Sequence, residues 1–296
     1  MDIAALKAFL AVAESGSFSR ASAQLFLTQP AISKRVAMLE TELGTRLFDR
    51  IGRHTSLTES GHALLPRARR ILLEVEDCRR AISNLSERVA GILRIGTSHH
   101  IGLHRLPPIL RTYSTNYPEV ELDLHFMDSE EVCRAVLHGD LELGIVTLPL
   151  ETPAELGSRK IWPDPLDFII DPKHPLARQK VVTPAQLCGF AAILPSPGTY
   201  TREVIEQAFK PLQLTIPIRL ATNYLETIKM MVSVGLGWSV LPRSMISDDL
   251  AVLDVSRIGQ LSRQLGTVWH SGRTLSNAAQ AMLATLDDTI DRTAVS

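Results

Sequence analysis

The sequence predicts an α/β protein: an all-α N-terminal module with a long linker helix, then a two-lobed α/β domain. Three observations carry this. Up to residue 89, apolar residues recur mainly at helical spacing. Beyond Gly91, short apolar runs alternate with amphipathic helical segments, which predicts a mostly parallel sheet covered on both faces. The 296 residues, 45% hydrophobic and 21% charged, supply more than one core.

Charge is unevenly divided. Residues 1–90 carry 13 Lys and Arg against 10 Asp and Glu, and the remainder 18 against 22, so a mildly basic front precedes an acidic back. The opening MDIAALKAFL lacks the basic start of a signal peptide, and no segment approaches 18 unbroken apolar residues. Cys78, Cys133 and Cys188 are scattered, with no CxxC pair. A cytoplasmic chain with reduced thiols and no membrane partner is the expectation.

From the N-terminus, Ile3, Leu6, Phe9, Leu10 and Ala13 line one helical face, and Gly16 ends the helix. Ser17 or Ser19 can cap a short second helix through Leu25. Thr28 then caps a third, with Pro30 in its first turn, where the missing N–H costs little. Ile32, Val36, Leu39 and Leu43 form its buried stripe. Pro30, Lys34 and Ala37 point the opposite way, flanked by Gln29 and Ser33 on one side and Arg35 on the other. Small polar residues and one long cation at a helix start suit insertion into the DNA major groove, where Gln, Ser and Lys reach base edges and the positive dipole end favours phosphate. Alone, this segment reads more readily as a solvated surface helix. In sequence with its neighbours it makes a helix-turn-helix. Leu47 and Phe48 close the small core, and Arg50, Arg53 and His54 lie in a turn-like wing that would set arginines along phosphates.

Thr58 caps the next helix. Leu64, Ala68, Ile71, Val75, Cys78, Ile82, Leu85 and Val89 step by alternating fours and threes, a heptad seam over residues 58–89. So narrow a stripe on a helix about 48 Å long needs a partner, and a second copy of the chain is the expected one. The alternative is a lone helix packed on the following domain.

The stretches FLAVAESGSFSRASAQLFLTQPAISKRVAMLETELGTRLFDR and LTESGHALLPRAR together resemble the N-terminal region of LysR-type transcriptional regulators. The resemblance implies a winged helix-turn-helix over residues 1–57, a dimerising linker helix over 58–90, and an effector-sensing domain over 91–296. It implies that residues at the positions of Gln29, Pro30, Ser33 and Lys34 meet double-stranded promoter DNA. It also implies a homotetramer, contact with RNA polymerase, no fixed cofactor and a small-molecule co-inducer.

In the back two-thirds, ILRIGTS, VELDLHF and LGIVTLP read as strands separated by the helices RLPPILRTYSTNYP and SEEVCRAVLHGDL. LDFIID, FAAILPS, IPIRLAT, WSVLP and TVWHS continue the strands, with helices at TREVIEQAFK, YLETIKMMVSVGLG and NAAQAMLATLDDTI. By resemblance this is a periplasmic-binding-protein-like domain, with lobe I at 92–163 and 268–290 and lobe II at 164–267. Ligands in such sheets sit at carboxyl ends of strands, beside helix N-termini. Those ends hold Ser98, His99 and His100; Asp128 and Ser129; Thr147; Ser196, Pro197, Gly198, Thr199 and Tyr200; and Thr222 and Asn223. The resemblance adds that Ser98 and Thr199 match effector-holding positions. Hydroxyls and backbone N–H groups suit a small oxyanion, while Asp128 favours a zwitterionic or neutral effector.

Three rivals are weaker. His99, His100 and His104 invite a metal enzyme, with His100 and His104 four apart, but no HExxH, CxxC, GxSxG or P-loop accompanies them, so neither catalysis nor a metal is expected. Cys133 and Cys188 could serve a redox switch, though neither lies in a basic microsequence. A solute-binding protein conflicts with the front module and the missing signal peptide.

Overall fold

The computed structural model describes residues 1–51, 54–86 and 88–294. The chain divides after residue 86 into two compact units.

The first unit opens with α1 (Ile3–Ser15), α2 (Phe18–Gln24) and α3 (Gln29–Leu43). Gly16 and Gly44 end α1 and α3 in the left-handed conformation, φ 62° and 66°, which a side chain would strain. Ser17, rather than Ser19, caps α2 by accepting from the Arg20 N–H. Leu6, Phe9, Val12, Phe18, Ile32, Val36, Leu39, Leu47 and Phe48 share one core. Each large apolar side chain so buried contributes about 1.5–3 kcal/mol. Leu43, expected on the buried stripe of α3, is exposed, because the core ends at Leu39, one turn earlier.

The wing is an antiparallel hairpin of β1 (Phe48–Ile51) and β2 (His54–Leu57). Glu40 Oε1 accepts from the N–H groups of Leu47 (2.7 Å) and Phe48 (3.3 Å) and so ties the hairpin to α3. Arg53 lies outside the described residues, and the side chains of Arg50 and His54 do too.

The linker helix α4 spans Glu59–Asn84, about 39 Å, capped by Thr58, whose Oγ1 accepts from the Gly61 N–H at 3.0 Å. Gly61 meets the wing entry so closely that a Cβ there would sit 2.2 Å from the Leu47 carbonyl oxygen.

The expected seam divides. Ala68 is fully buried, and Leu64 and Ile71 pack with it, in the helix-turn-helix core of the same chain. Ile82 is 71% exposed and Leu85 82%. The helix stops at Asn84, so Leu85 is its C-cap and Val89 falls outside it; Val89 packs in the second unit. Helical periodicity continues across 84–89, but tertiary burial of Val89 outcompetes one more turn of a solvated helix.

The second unit contains β3 (Gly91–Thr97), α5 (His99–His104), α6 (Leu106–Asn116), β4 (Val120–Phe126), α7 (Ser129–His138), β5 (Leu143–Thr147) and β6 (Leu156–Ile170). It continues with α8 (Pro184–Leu187), β7 (Ala192–Leu194), α9 (Tyr200–Phe209), β8 (Ile218–Ala221), α10 (Leu225–Ser233), β9 (Ser239–Pro242), β10 (Ala251–Leu253), β11 (Leu261–His270) and α11 (Asn277–Ala294). Two groups of buried residues define two lobes. One gathers β3–β5, α6 and α11 around Leu93, Ile95, Ile109, Tyr113 and Met282. The other gathers β7, α9, β9 and their neighbours around Phe168, Ile205, Phe209 and Trp238.

The sheet is mixed rather than mostly parallel. In the seven-stranded sheet β3 pairs in parallel with β4 and β5, while β7 and β8 pair in parallel as a separate two-stranded sheet. The two strands that run through both lobes, β6 and β11, pair antiparallel with each other, and β11 runs antiparallel to β5. β6 extends from Leu156 through Trp162–Pro165 into the expected LDFIID strand, fifteen residues without interruption.

Candidate functional site

Two regions carry the expected chemistry, one in each unit. In the first, Thr28 Oγ1 accepts from the Ala31 N–H (3.4 Å), and the Ile32 N–H bonds the Thr28 carbonyl. Pro30 has no N–H. The first turn's donors are thus largely engaged, and any ligand must be met by side chains. Gln29, Pro30 and Lys34 are exposed, as is Thr28, while Ser33 and Arg35 are half-buried. The face is small, polar and singly cationic at its front.

In the second unit, a cavity of about 50 Å³, room for about three or four waters, lies between the lobes. Eight of the expected residues line it: Ser98, His99, His100, Asp128, Ser129, Thr147, Thr199 and Asn223. Five do not. Pro197 and Gly198 are exposed in the turn before α9. Ser196 contributes its N–H to Asn223 Oδ1 at 2.8 Å. Thr222 Oγ1 accepts from the Tyr224 N–H at 3.4 Å. Tyr200 packs against the cluster of Val132, Cys133 and Val136 in the opposite lobe, so it joins the lobes without lining the cavity. Thr199 lines the cavity, but its hydroxyl donates to Ser196 O (2.9 Å) and accepts from the Arg202 N–H (3.4 Å), which makes it foremost the cap of α9.

The sequence reading missed Glu130, Pro195, Thr201, Leu225 and Arg263 in the lining. Arg263 matters most. It is buried in β11; its Nε donates to Asp164 Oδ2 (2.8 Å) and its Nη1 to Thr201 Oγ1 (2.8 Å). Its Nη2 is buried with no hydrogen-bond partner among the described residues. A guanidinium nitrogen left so is a ready donor to an oxyanion. A signal existed: Leu261, Arg263 and Leu265 alternate inward on a strand, an arginine at a core position.

The acidic residues are already engaged. Asn223 Nδ2 donates to Asp128 across the lobes, and the Tyr200 N–H donates to Glu130. Burial, reinforced by Asp128, raises the Glu130 carboxyl above its usual range despite the Tyr200 bond.

His100 is buried, and burial together with the Arg263 charge lowers it to about 3, so its ring is neutral. The thiol of Cys133 is buried and pushed up to about 11, and burial raises Cys188 as well, the opposite of an activated thiolate.

Residues 3–62 match the bacterial regulatory helix-turn-helix protein, lysR family, and residues 86–291 match the LysR substrate binding domain. The chain belongs to the LysR family of transcriptional regulators.

Among LysR-family relatives, a probable RuBisCO transcriptional regulator of Trichormus variabilis is 32% identical over 287 residues, covering 93% of this chain and 85% of its own. The uncharacterized HTH-type regulator YeiE of Escherichia coli is 33% identical over 282 residues, covering 94% of each. A full-length OxyR variant of Pseudomonas aeruginosa shares the fold, with TM-score 0.70, 23% identity, and 98% of this chain and 94% of its own covered. CbnR complexed with its target DNA gives TM-score 0.61 at 22% identity, covering 99% of both chains. No helix among the described residues is long and apolar enough to cross a membrane.

Proposed function

We propose that this LysR-family regulator reads a dyad-symmetric DNA site as a dimer and responds to a small oxyanion held between the lobes of its second unit. On the DNA side, Gln29, Ser33 and Lys34 would reach bases and phosphates, with the wing on the backbone. The exposed end of the α4 stripe, Ile82 and Leu85, supports pairing of two chains through this helix. A tetramer and recruitment of RNA polymerase extend the same reading.

The observation that carries the effector class is the buried, unpartnered Nη2 of Arg263, a residue that lines the cavity together with Ser98. The small volume points to an effector of few non-hydrogen atoms, a small carboxylate or an inorganic oxyanion. Because lobes facing each other across the cavity both supply lining groups, an effector bridging them would favour the closed arrangement, and only that differential affinity can alter DNA contacts.

The test uses the full chain. A thermal-shift panel of small carboxylates and inorganic oxyanions should reveal a stabilising ligand. Ser98→Ala should weaken that shift and leave operator affinity unchanged. Stabilisation by neutral analogues but by no anion would reject the oxyanion reading.

A further inference from the structure

Beside the cavity, His100, His104 and Glu226 converge with their ligand atoms within 4.8 Å of one another. His100 and His104 project from successive turns of α5; Glu226, in α10, comes from the opposite lobe, 122 residues away from His104. His104 Nε2 and Glu226 Oε1 lie 3.0 Å apart, and the two imidazole rings stand 4.8 Å centroid to centroid. Both side chains of the His104–Glu226 pair are nearly half exposed, so the group opens to solvent on one side.

The pairing of His104 with Glu226 needs no metal: it stands as an ordinary hydrogen bond between lobes. His100 does need an account. It is 5% exposed, and neither ring nitrogen has a hydrogen-bond partner among the described residues. Buried polar side chains are rarely left so, because an unpaired group loses its hydration without compensation. Each imidazole nitrogen that carries no proton has a lone pair of the kind a metal ion takes.

We infer that His100, His104 and Glu226 bind a divalent transition ion of the zinc class, clasping the two lobes together. Two histidines four apart on a helix with a carboxylate from elsewhere is a three-ligand set that leaves a fourth position open. Ligand atoms around tetrahedral zinc, at about 2.0–2.1 Å from the metal, lie about 3.3–3.5 Å apart. The observed separations bracket that spacing, so rotation of the two half-exposed side chains closes the set. Because His100 also lines the cavity, the open position would take water or an anion from it.

Charge around the site is balanced. Arg263 and Arg105 both bear on His100 and oppose a cation. Asp164 offsets them, accepting from Arg263 at 2.8 Å and facing Arg105 at 3.6 Å. Glu226 supplies the one negative ligand. The site thus favours an ion that prefers imidazole nitrogen, such as zinc or cobalt, over magnesium or calcium, which prefer an all-oxygen shell. With ligands on both lobes, metal binding would stabilise the closed arrangement without contacting DNA. The consequence is a metal-responsive regulator rather than a metalloenzyme.

The experiment is titration of tag-free full-length protein with zinc by calorimetry and with cobalt by visible absorption. One equivalent per chain is expected, with the intense visible bands of tetrahedral cobalt. His104→Ala and Glu226→Gln, both at half-exposed positions, should each keep the wild-type circular dichroism and weaken binding about tenfold or more. Absence of saturable binding overturns the inference. Binding whose affinity survives either substitution overturns it equally, since the ion then sits elsewhere.

Discussion

Ile82→Ala isolates the pairing of two chains from the folding of one. Ile82 lies on the expected seam, is 71% exposed, and takes no part in the helix-turn-helix core. The substitution removes three carbons, worth about 2.4 kcal/mol at about 0.8 kcal/mol per buried methylene. Scaled by the exposed fraction, about 1.7 kcal/mol of burial remains to be gained on pairing, and a twofold seam loses it twice, about 3.4 kcal/mol. That is roughly a 300-fold weaker dimer at about 1.4 kcal/mol per tenfold. Sedimentation velocity over a dilution series measures it, with the melting temperature as control for the fold. Ala68→Asp, by contrast, should unfold the N-terminal unit, because Ala68 is fully buried in its own core and an aspartate there has no partner. A dimer whose dissociation constant shifts less than about threefold in Ile82→Ala would refute pairing through this end of α4.

Lys34→Ala should reduce the salt dependence of operator binding by about 0.9 for each phosphate it no longer neutralises, so about twice that for two chains, or else relax discrimination at one base pair per half-site by about 1–3 kcal/mol; filter binding at several salt concentrations distinguishes the two. Gly61→Ala should destabilise the N-terminal unit by about 1–3 kcal/mol in urea unfolding, because the added methyl meets the Leu47 carbonyl, a backbone atom that cannot turn aside. Arg243 donates to both oxygens of Asp167, at 2.8 and 3.0 Å, and holds that carboxyl below its usual range. A depressed carboxylate stabilises the fold above its unfolded pKa, and the stabilisation is lost as pH falls through the folded value. Arg243→Gln should therefore flatten the decline of melting temperature with acidification below about pH 4.

The N-terminal elements were legible because each depends on local chemistry. Thr28 and Ser17 cap by reaching three residues ahead, and Gly16 and Gly44 stop helices through their own left-handed backbone. The linker misled for the opposite reason. Its heptad spacing runs on to Val89, yet two separate cores decide where each residue packs: Ala68 lies in one, Val89 against the other, and Ile82 in neither. Periodicity reports which face is apolar, not what covers it. In the second unit, loop hydroxyls at strand ends could be found by position, but their commitments could not. Thr199 and Thr222 engage their hydroxyls with local backbone, and Tyr200 crosses to the other lobe. Arg263 and Glu226 were missed because their significance rests on partners about a hundred residues away, Asp164 and His104.

Selection of bound duplexes from a random DNA library by the full-length protein, followed by sequencing, reads out whether two chains recognise a dyad-symmetric site through α3. Enrichment of a dyad-symmetric site is expected, with a half-site preference that relaxes in Gln29→Ala. Enrichment of no sequence over the starting library, or an asymmetric motif indifferent to Gln29, Ser33 and Lys34, would contradict it.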